Sequence, residues 1–382
     1  MQYRRFGKLD WKVSALGFGA MRLPIIGKET TNIDELQAIR MIRYAIDHGV
    51  NYLDTAYVYH GEKSELVVGK ALENGYRDKI KLATKLPSFI VESYVDFDRF
   101  LDEQLRRLQT DTIDFYLLHG LDKTFWPRLR DLKIFEWAES ALKDGRIKYL
   151  GFSFHDEISL FKEIVDSYDN FTFCQIQYNY MDEEYQAGTL GLQYAAAKGL
   201  AIVIMEPIRG GQLSRPPEAI TRMLDSADQK STPSELALRW VWSHPEVSVV
   251  LSGMSNMEQV VQNVESVSRY GNASLTDKEF VLIKQVRDSF GELIPIPCTE
   301  CYYCMPCPNG VAIPQIIKLY NEGIMYNDRL GVQALYERSP IAVDEANRPD
   351  KCEECGECEE VCPQKLPIIE WLKKTGEYFN QI

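Results

Sequence analysis

The sequence predicts an α/β protein in which a (β/α)8 TIM barrel is followed by a small helical domain rich in cysteine. In residues 1–292 a short apolar strand followed by an amphipathic helix recurs, which is the pattern of a barrel of eight parallel strands. Cysteine is unevenly distributed, because Cys174 stands alone in this part and the other eight lie between Cys298 and Cys362. Clustered cysteines in a large chain indicate metal binding rather than disulfides. We therefore assign residues 293–382 to a second domain.

The barrel strands are predicted at eight short apolar runs of similar length. They cover residues 16–21, 51–56, 80–86, 113–119, 149–154, 174–178, 201–206 and 247–251. An open doubly wound sheet is the alternative arrangement, but no G-x-G-x-x-G motif follows the first strand. Eight strand–helix repeats favour closure of the sheet into a barrel.

The elements around the strands follow from hydrophobic periodicity and turn residues. Residues 2–15 are typical of a β-hairpin that covers the barrel. Helical patterns occupy residues 33–48, 97–109, 135–143, 158–166, 256–267, 277–290, 314–321 and 331–338. Residues 295–297, Pro-Ile-Pro, are expected to form the linker between the domains. Residues 120–131 are expected to be a long loop in which Trp126 lines a substrate pocket.

Charge and hydropathy restrict the environment of the chain. Its formal charge of −13 is not offset by a basic stripe, which disfavours nucleic acids and anionic membranes as partners. No apolar run approaches the roughly 18 residues of a membrane span, and the first residues lack the apolar core of a signal peptide. We expect a cytoplasmic protein.

Polar side chains stand at the carboxyl ends of three successive predicted strands. Asp54 ends the second strand and is followed by Tyr59, Lys85 ends the third, and His119 ends the fourth. In a parallel barrel this edge is where chemistry takes place. Each residue alone could be structural, but together they form an acid–base set. An ammonium favours ionisation of a nearby phenol, and a carboxylate paired with that ammonium keeps it charged.

The motif D-T-A-x-x-Y at residues 54–59, with Lys85 and His119 on the following strands, resembles the aldo/keto reductase family. The resemblance implies that Tyr59 is the acid and base, that Asp54 and Lys85 tune it, and that His119 orients a carbonyl. The hydride must come from a cofactor, because no side chain supplies one. The chain is therefore expected to transfer hydride between a nicotinamide cofactor and a small carbonyl or alcohol substrate.

The same resemblance implies a set of cofactor-binding residues. They are Gly19, Met21, Arg22, Ser153, Gln175, Met205, Pro207, Ser252, Gly253, Ser255, Gln259 and Asn263. A helix that begins after the last strand provides a phosphate site at its N-terminus.

Two positions in or beside this set depart from the family pattern. Phe154 stands where the family has an asparagine, so either His155 compensates or the nicotinamide is held more weakly. Met205 stands where an aromatic ring often stacks, and a thioether can pack on a ring face instead. No basic residue for a 2′-phosphate is seen in residues 251–263, although Arg209 or Arg22 could serve. NADP is favoured over NAD only as the habit of the family.

The cysteines form two runs of regular spacing. The first comprises Cys298, Cys301, Cys304 and Cys307, and the second comprises Cys352, Cys355, Cys358 and Cys362. The second fits the C-x2-C-x2-C-x3-C-P run of bacterial ferredoxins, whereas the first is one residue shorter before its last cysteine. Two zinc sites, or a single cluster beside a structural first run, are the alternatives.

In two-cluster ferredoxins the fourth cysteine of each run serves the other cluster. Carried over, this resemblance implies two [4Fe–4S] clusters, one of which uses Cys298, Cys301, Cys304 and Cys362. The other would use Cys352, Cys355, Cys358 and Cys307. The helical stretches make this domain similar to helical ferredoxins, so the whole chain resembles the iron–sulfur-containing branch of the aldo/keto reductases.

Two functions follow from this resemblance. The first is an oxidoreductase whose clusters transfer electrons or stabilise the fold, and whose acidic run at residues 353–360 suits a basic redox partner protein. The alternative is a cofactor-sensing or electron-carrier module whose barrel does not turn over substrate.

Overall fold

The computed structural model describes residues 1–27, 29–227, 231–271, 275–298, 304–362 and 364–380. In these residues the strands are β1 (Tyr3–Phe6), β2 (Leu9–Ser14), β3 (Leu16–Gly19), β4 (Tyr52–Asp54), β5 (Lys81–Leu86), β6 (Ile113–Leu121), β7 (Ile147–Phe154), β8 (Phe173–Gln177), β9 (Ala201–Met205) and β10 (Val247–Ser252). Short 3-10 helices are formed by Ala20–Arg22, Arg77–Lys79, Ser88–Ile90, Arg209–Ser214, Glu345–Asn347 and Pro349–Lys351.

The α-helices fall into two sets along the chain. Those that alternate with the strands are α1 (Glu35–Asp47), α2 (Ser64–Ala71), α3 (Val95–Leu108), α4 (Phe125–Asp131), α5 (Ile134–Lys143), α6 (Ile158–Asp166), α7 (Gly188–Ala197), α8 (Glu218–Ser226) and α9 (Pro233–Trp242). Those that follow β10 are α10 (Met257–Tyr270), α11 (Asp277–Leu293), α12 (Ile313–Met325), α13 (Arg329–Arg338), α14 (Pro340–Val343), α15 (Glu357–Glu360) and α16 (Ile368–Asn380). No helix in the described ranges has the length and apolar character needed to cross a membrane.

Strands β3 to β10 form a closed parallel barrel in chain order, with β10 pairing back to β3. The predicted fold class is therefore confirmed. The strand predictions are close to the observed bounds, although β4 is only three residues long and β6 continues two residues beyond His119. The helices between strands are amphipathic, and α1 shows why. Its buried positions Ala38, Met41, Ile42 and Ala45 recur at helical spacing, and Asp34 caps its first turn by accepting from the amide of Gln37.

The hairpin β1–β2 closes the amino-terminal end of the barrel. Phe6 is fully buried, and its ring centroid lies 4.6 Å from that of Phe115 and 5.9 Å from that of Tyr52. Gly7 turns with a φ of 54°, and a Cβ there would lie 2.6 Å from the amide nitrogen of Ala201. Only glycine permits that approach. With this end plugged by apolar side chains, the carboxyl end is left for chemistry.

The direction of Cys174 follows from β8, and one expectation about a loop is wrong. Phe173 lies in the interior core and side chains alternate along a strand, so Cys174 faces the helices. Residues 120–131 are not one loop, because β6 extends to Leu121 and α4 begins at Phe125. Trp126 is 1% exposed and donates to Glu163 at 3.0 Å, so it is a packing residue of α4.

The chain divides into two compact units. The first comprises Met1–Ser214 and Ser231–Asp277, and the second comprises Arg215–Lys230 and Lys278–Ile382. The proposed division into residues 1–292 and 293–382, which rests on sequence pattern, stays a prediction.

The second unit has its own apolar core between α12, α13 and α16. Asn321 of α12 is buried and bonds to both the amide and the carbonyl of Ile296, which satisfies the polar backbone of that segment. The core consists of Ile296, Val311, Ala312, Ile313, Ile316, Ile317, Val332, Tyr336, Ile341, Cys362, Leu366, Ile368, Leu372 and Phe379. A core of this size supports the thiol-bearing segments around it.

Candidate active site

The four residues predicted to act together lie at the carboxyl end of the barrel. Asp54 ends β4, Lys85 lies one residue from the end of β5, and His119 lies near the end of β6. Tyr52 and Ala83 belong to the interior core of the barrel. Because side chains alternate along a strand, Asp54 and Lys85, each two residues later, also point inward and lie at the barrel mouth. Tyr59 reaches the same point from the turn before α2.

The ammonium of Lys85 joins the set together. Its Nζ donates to Asp54 Oδ1 at 2.6 Å, to the carbonyl of Thr55 at 2.8 Å and to Tyr59 Oη at 3.3 Å. Lys85 is 0% and Asp54 2% exposed, so this ion pair is shielded from solvent. An ammonium has three donors, and all three are directed here. The phenol is thereby held beside a fixed positive charge.

Burial and charge act in opposite directions on the phenol. Burial raises the pKa of Tyr59 above its ordinary value of 10.0, the ammonium of Lys85 acts to lower it, and the carboxylate of Asp54 acts to raise it. Although burial alone would lower the pKa of Lys85, its contacts with Asp54 and Tyr59 raise that pKa overall. At neutral pH the site therefore presents a protonated phenol beside a charged ammonium, which suits proton donation.

At neutral pH the imidazole of His119 is uncharged, while the phenol of Tyr59 is protonated. Burial lowers the pKa of His119 well below 6.5, and the charge of Lys85 acts in the same direction. Its ring is nearly perpendicular to that of Tyr59, with centroids 6.0 Å apart. The buried Nδ1 of His119 has no hydrogen-bond partner among the described residues. A neutral imidazole next to the phenol can bond to the same substrate oxygen.

A buried hydrogen-bond network supports Lys85 from the helix side. Gln104 of α3 donates to the carbonyl of Lys85 at 3.0 Å and to Glu65 Oε1 at 2.7 Å. Thr84 donates to the same carboxylate oxygen at 2.6 Å, and Tyr116 donates to Gln104 Oε1 at 2.7 Å. These hydrogen bonds fix the backbone segment that carries Lys85.

Two of the residues predicted to hold the nicotinamide are buried on neighbouring strands. Ser153 is 1% exposed, and its Oγ accepts from the amide of Gly120 at 2.7 Å. Gln175 is 2% exposed, and its buried Oε1 has no partner in the part of the chain described. Its Nε2 lies 3.7 Å from Met205 Sδ. An unpaired buried acceptor costs free energy unless a ligand supplies a donor, so these residues fit a nicotinamide.

The departure at Phe154 has a structural explanation. Its side chain is fully buried, with its ring 5.1 Å from that of Phe161 on α6, so it packs against the helix layer. His155 instead borders the mouth, because a Cβ on Gly120 would lie 3.9 Å from His155 Cδ2. That His155 replaces the family's asparagine stays a proposal.

The loop after β10 and the start of α10 form the predicted phosphate end. Asn256 caps the helix by accepting from the amide of Gln259 at 2.9 Å. Gln259 in turn accepts from the amide and the hydroxyl of Ser255, at 2.8 and 3.2 Å. Asn263 donates to Ser252 Oγ at 3.0 Å. The predicted residues are thus brought together around one helix N-terminus, which favours an anion.

Arg22 spans the approach to this loop. A Cβ on Gly253 would lie 3.2 Å from Arg22 Cδ, and one on Gly210 would lie 3.3 Å from its Nη2. Glycine at both positions leaves room for the arginine side chain. Arg209 lies 3.5 Å from the Asp182 carboxylate. Of the two arginines suggested for a 2′-phosphate, Arg22 is therefore the better placed.

Of the remaining predicted cofactor residues, Gly19 lies beside this loop. A Cβ on Gly19 would meet the carbonyl of Ser252 at 3.4 Å, so strand ends β3 and β10 approach closely there. Met21 is 58% exposed at the mouth, and Pro207 is buried after β9.

Sequence reasoning missed three residues at the mouth. Phe89 lies beside His119 with ring centroids 5.7 Å apart and the ring planes tilted by 59°, and the ring of Phe125 of α4 lies 6.2 Å from that of Phe89. Glu206, which follows β9 with a φ of 52°, adds a negative charge that acts to raise the pKa of Tyr59. An aromatic four residues after Lys85 was a usable signal for Phe89, whereas the other two depend on how the loops fold.

In the second unit, five of the predicted metal ligands border one cavity. The cavity has a volume of about 120 Å³ and is lined by Cys304, Cys307, Cys352, Cys355 and Cys358. Cys298 packs against the apolar core that contains Cys362. Cys301 lies outside the described residues, as does Pro363 after the second run. No cysteine in the described ranges is paired in a disulfide.

The placement of the thiols can be tested against the predicted clusters. Cys307 borders the same cavity as Cys352, Cys355 and Cys358, which is the predicted set of one cluster, and Cys304 also reaches it. Within the described residues no three cysteine, histidine or acidic side chains are grouped tightly enough for one metal ion. A four-iron cluster offers each thiolate a separate iron, so it holds its ligands farther apart than a single ion does. The thiol-lined cavity fits such a group.

Comparison with known proteins agrees with both parts of this picture. The aldo/keto reductase family model matches residues 15–288, and a 4Fe-4S dicluster domain model matches residues 297–366. The aldo-keto reductase AKR11C1 from Bacillus halodurans, in its holo form, is 30% identical with a TM-score of 0.62, over 75% of this chain and 96% of that one.

Two curated relatives are similar over much of the chain. The uncharacterized oxidoreductase YrpG of Bacillus subtilis is 27% identical over 342 residues, covering 78% of this chain and 98% of that protein. L-galactose dehydrogenase of Arabidopsis thaliana is 28% identical over 298 residues, covering 70% and 88%.

Proposed function

The chain belongs to the aldo/keto reductase family and carries a 4Fe-4S dicluster domain, and we propose that its barrel reduces aldehydes or ketones and oxidises the corresponding alcohols. The observation that carries this proposal is the single ammonium of Lys85, which bonds to Asp54 and to the phenol of Tyr59 at the barrel mouth.

In this reaction a bound nicotinamide supplies or accepts the hydride. Ser153 and Gln175 would hold its carboxamide, and the N-terminus of α10 with Arg22 would hold its phosphates. NADP is favoured over NAD because Arg22, which lies beside Gly253 and Gly210 at this end, suits a 2′-phosphate.

The residues of the chain carry the proton. In the reducing direction, Tyr59 donates its phenolic proton to the carbonyl oxygen, and Lys85 stabilises the phenolate that results. His119, being neutral, donates a hydrogen bond to the same oxygen and orients the carbonyl. Asp54 keeps Lys85 charged, and the apolar plug below the site keeps water out of the barrel interior.

Substitution of the phenol tests the proposal. Tyr59→Phe should lower carbonyl-dependent oxidation of NADPH by about 10²–10⁴-fold, the contribution typical of an acid–base group. Nucleotide affinity should be retained, as titrated by protein fluorescence. Tyr57→Phe is the matched control, since Tyr57 bonds to Glu103 and not to the catalytic set. Equal turnover in Tyr59→Phe and in the parent would contradict the assignment. Nucleotide binding without turnover in the parent would favour a cofactor sensor instead.

For the second unit we propose two [4Fe–4S] clusters that exchange electrons with a redox partner protein. The thiol-lined cavity and the acidic residues near Cys355, which is exposed, support this. Electron paramagnetic resonance of the anaerobic protein tests it, with dithionite as the control reductant. A reduced-cluster signal with NADPH would mean that the barrel supplies the electrons. A signal with dithionite alone would contradict such transfer and leave only an external donor.

A further inference from the structure

A guanidinium near the barrel mouth has unused hydrogen-bonding capacity. Arg128 of α4 donates from Nη2 to the carbonyl of Ser88 at 2.6 Å. Its Nε is buried and has no hydrogen-bond partner, and within the described residues no carboxylate lies at ion-pairing distance from it. Arg130, two residues later on the same helix, pairs with Glu163 at 3.6 Å. Arg128 is thus left with donors that a ligand could use.

A row of aromatic rings connects Arg128 with the catalytic imidazole. The guanidinium carbon of Arg128 lies 5.3 Å from the ring centroid of Phe125. The Phe125 and Phe89 centroids are 6.2 Å apart, and those of Phe89 and His119 are 5.7 Å apart. Phe125 and Phe89 therefore form a series of neighbouring rings between the guanidinium of Arg128 and the imidazole proposed to orient the carbonyl.

On the basis of the function proposed above, we propose that Arg128 binds a carboxylate at the far end of the substrate. The preferred substrates are then aldehydes or ketones in which an aromatic ring or a chain of similar length separates the carbonyl from a carboxylate. The ring or chain lies along Phe89 and Phe125, while the carbonyl reaches Tyr59 and His119. A guanidinium presents planar, paired donors that match the geometry of a carboxylate.

A purely structural role for Arg128 makes a different prediction. If its only task is to fasten α4 to Ser88 through the bond at 2.6 Å, its loss disturbs every substrate equally. If it binds a carboxylate, its loss affects anionic substrates selectively. The ratio between matched anionic and neutral substrates separates the two roles.

The experiment compares 4-carboxybenzaldehyde with methyl 4-formylbenzoate, which differ in the negative charge at the distal end. The parent should show the higher kcat/KM for the carboxylate. In Arg128→Gln the ratio of the two kcat/KM values should fall by about 10-fold or more, as expected for loss of a hydrogen-bonded charge pair. Arg130→Gln is the matched control, and it should keep the parent ratio. A parent that prefers the ester, or a ratio unchanged in Arg128→Gln, would overturn the proposal.

A binding measurement keeps the test independent of turnover and of the folding of one variant. Calorimetric titration with 4-(hydroxymethyl)benzoate and its methyl ester should show tighter binding of the acid to the parent. Arg128→Lys, which retains the charge but not the fork, should bind the acid more weakly than the parent does. If neither aldehyde is reduced but the acid binds through Arg128, the reductase function fails while the carboxylate site stands. If the ester is reduced and the acid gains nothing from Arg128, the reductase function stands alone.

Discussion

At the level of single residues, Lys85 determines how the proposed catalytic set behaves. Its buried ammonium contacts a carboxylate, a backbone carbonyl and a phenol. The carboxylate of Asp54 compensates its charge, and the three hydrogen bonds hold it beside the phenol of Tyr59. Because burial raises the pKa of Tyr59, the phenol is a proton donor through the neutral range, and the ammonium limits that rise. The two effects together suit a reductase better than either would alone.

The pH dependence of reduction follows from these shifts. Reduction needs protonated Tyr59, so kcat/KM should be flat through neutral pH and fall only above about pH 10. Lys85→Met removes a charge that lowers the phenol pKa, so this limb should move to higher pH while the rate falls. Lys81→Met, on the same strand but at its other end, is the control. The measurement is a pH profile of carbonyl reduction. If kcat/KM falls at the same pH in Lys85→Met as in the parent, Lys85 does not lower the pKa of Tyr59.

The unpaired oxygen of Gln175 leads to a prediction about nicotinamide binding. Gln175→Ala removes an acceptor for the carboxamide, so the Kd for NADPH should rise by about 2- to 10-fold, the effect of one neutral hydrogen bond. Gln193→Ala on the exposed surface of α7 should leave the Kd unchanged. Fluorescence titration gives both constants, and equal values in the two variants would remove Gln175 from the cofactor site.

At the level of elements, the amino-terminal end of the barrel is held by one buried carboxylate. Asp114 of β6 is 0% exposed and lies 2.8 Å from Arg77, 3.2 Å from Lys81 and 3.1 Å from Lys148. It also accepts from the amide of Leu82 at 3.1 Å. These contacts join β6 to β5 and β7 at the end opposite the active site. Because these contacts stabilise the barrel at one end, the loops at the other end are available for chemistry.

Loss of this carboxylate should destabilise the barrel without acting on the site. Asp114→Asn should lower the free energy of unfolding by about 2–3 kcal/mol at neutral pH, because three cations lose their shared partner. Although burial acts to raise it, Arg77 and the other donors hold the pKa of Asp114 below its ordinary value. The stabilisation is therefore full above the unfolded-state pKa of about 3.9 and is lost as the pH falls through the folded-state pKa.

Urea unfolding followed by circular dichroism measures this difference. The gap between the parent and Asp114→Asn should be constant at neutral pH and close in strongly acidic solution. Exposed Asp111→Asn serves as the control. A gap that widens with acid would contradict the ionised state of Asp114.

For the whole molecule, the two units carry different chemistry. The barrel holds an acid–base set suited to a two-electron hydride reaction, whereas iron–sulfur clusters exchange single electrons. Each unit has its own apolar core, and the thiols of the second unit surround a cavity beside that core.

The iron content tests the proposed number of clusters. The anaerobically purified protein should hold about eight irons and eight sulfides per chain if both clusters form. Cys352→Ser should lose about half of this iron, because one cluster loses a ligand. Cys174→Ser should lose none, since Cys174 lies in the barrel far along the chain and is fully buried on β8. About four irons in the parent would instead indicate a single cluster, and zinc in their place would exclude both.

The sequence by itself determined the barrel and the order of the residues that we propose to be catalytic. Strand–helix alternation has a strong periodic signal, and Asp54, Lys85 and His119 each lie at or near the carboxyl end of a strand, so the parallel topology brings them to the same end of the barrel. The spacing of the second cysteine run is likewise local, and local spacing is readable without a structure. Each of these patterns can be recognised from residues that are close together in the sequence.

Tertiary structure decided what depends on long-range packing. That Phe154 faces the helices, that Cys174 does so too, and that residues after β6 form α4 all follow from how side chains fill space between distant segments. The row of Phe89, Phe125 and Arg128 arises because α4 packs against the turn after β5, a contact between segments about 40 residues apart in sequence. A linear pattern carries no information about such contacts, because they are selected by shape and burial in the folded chain.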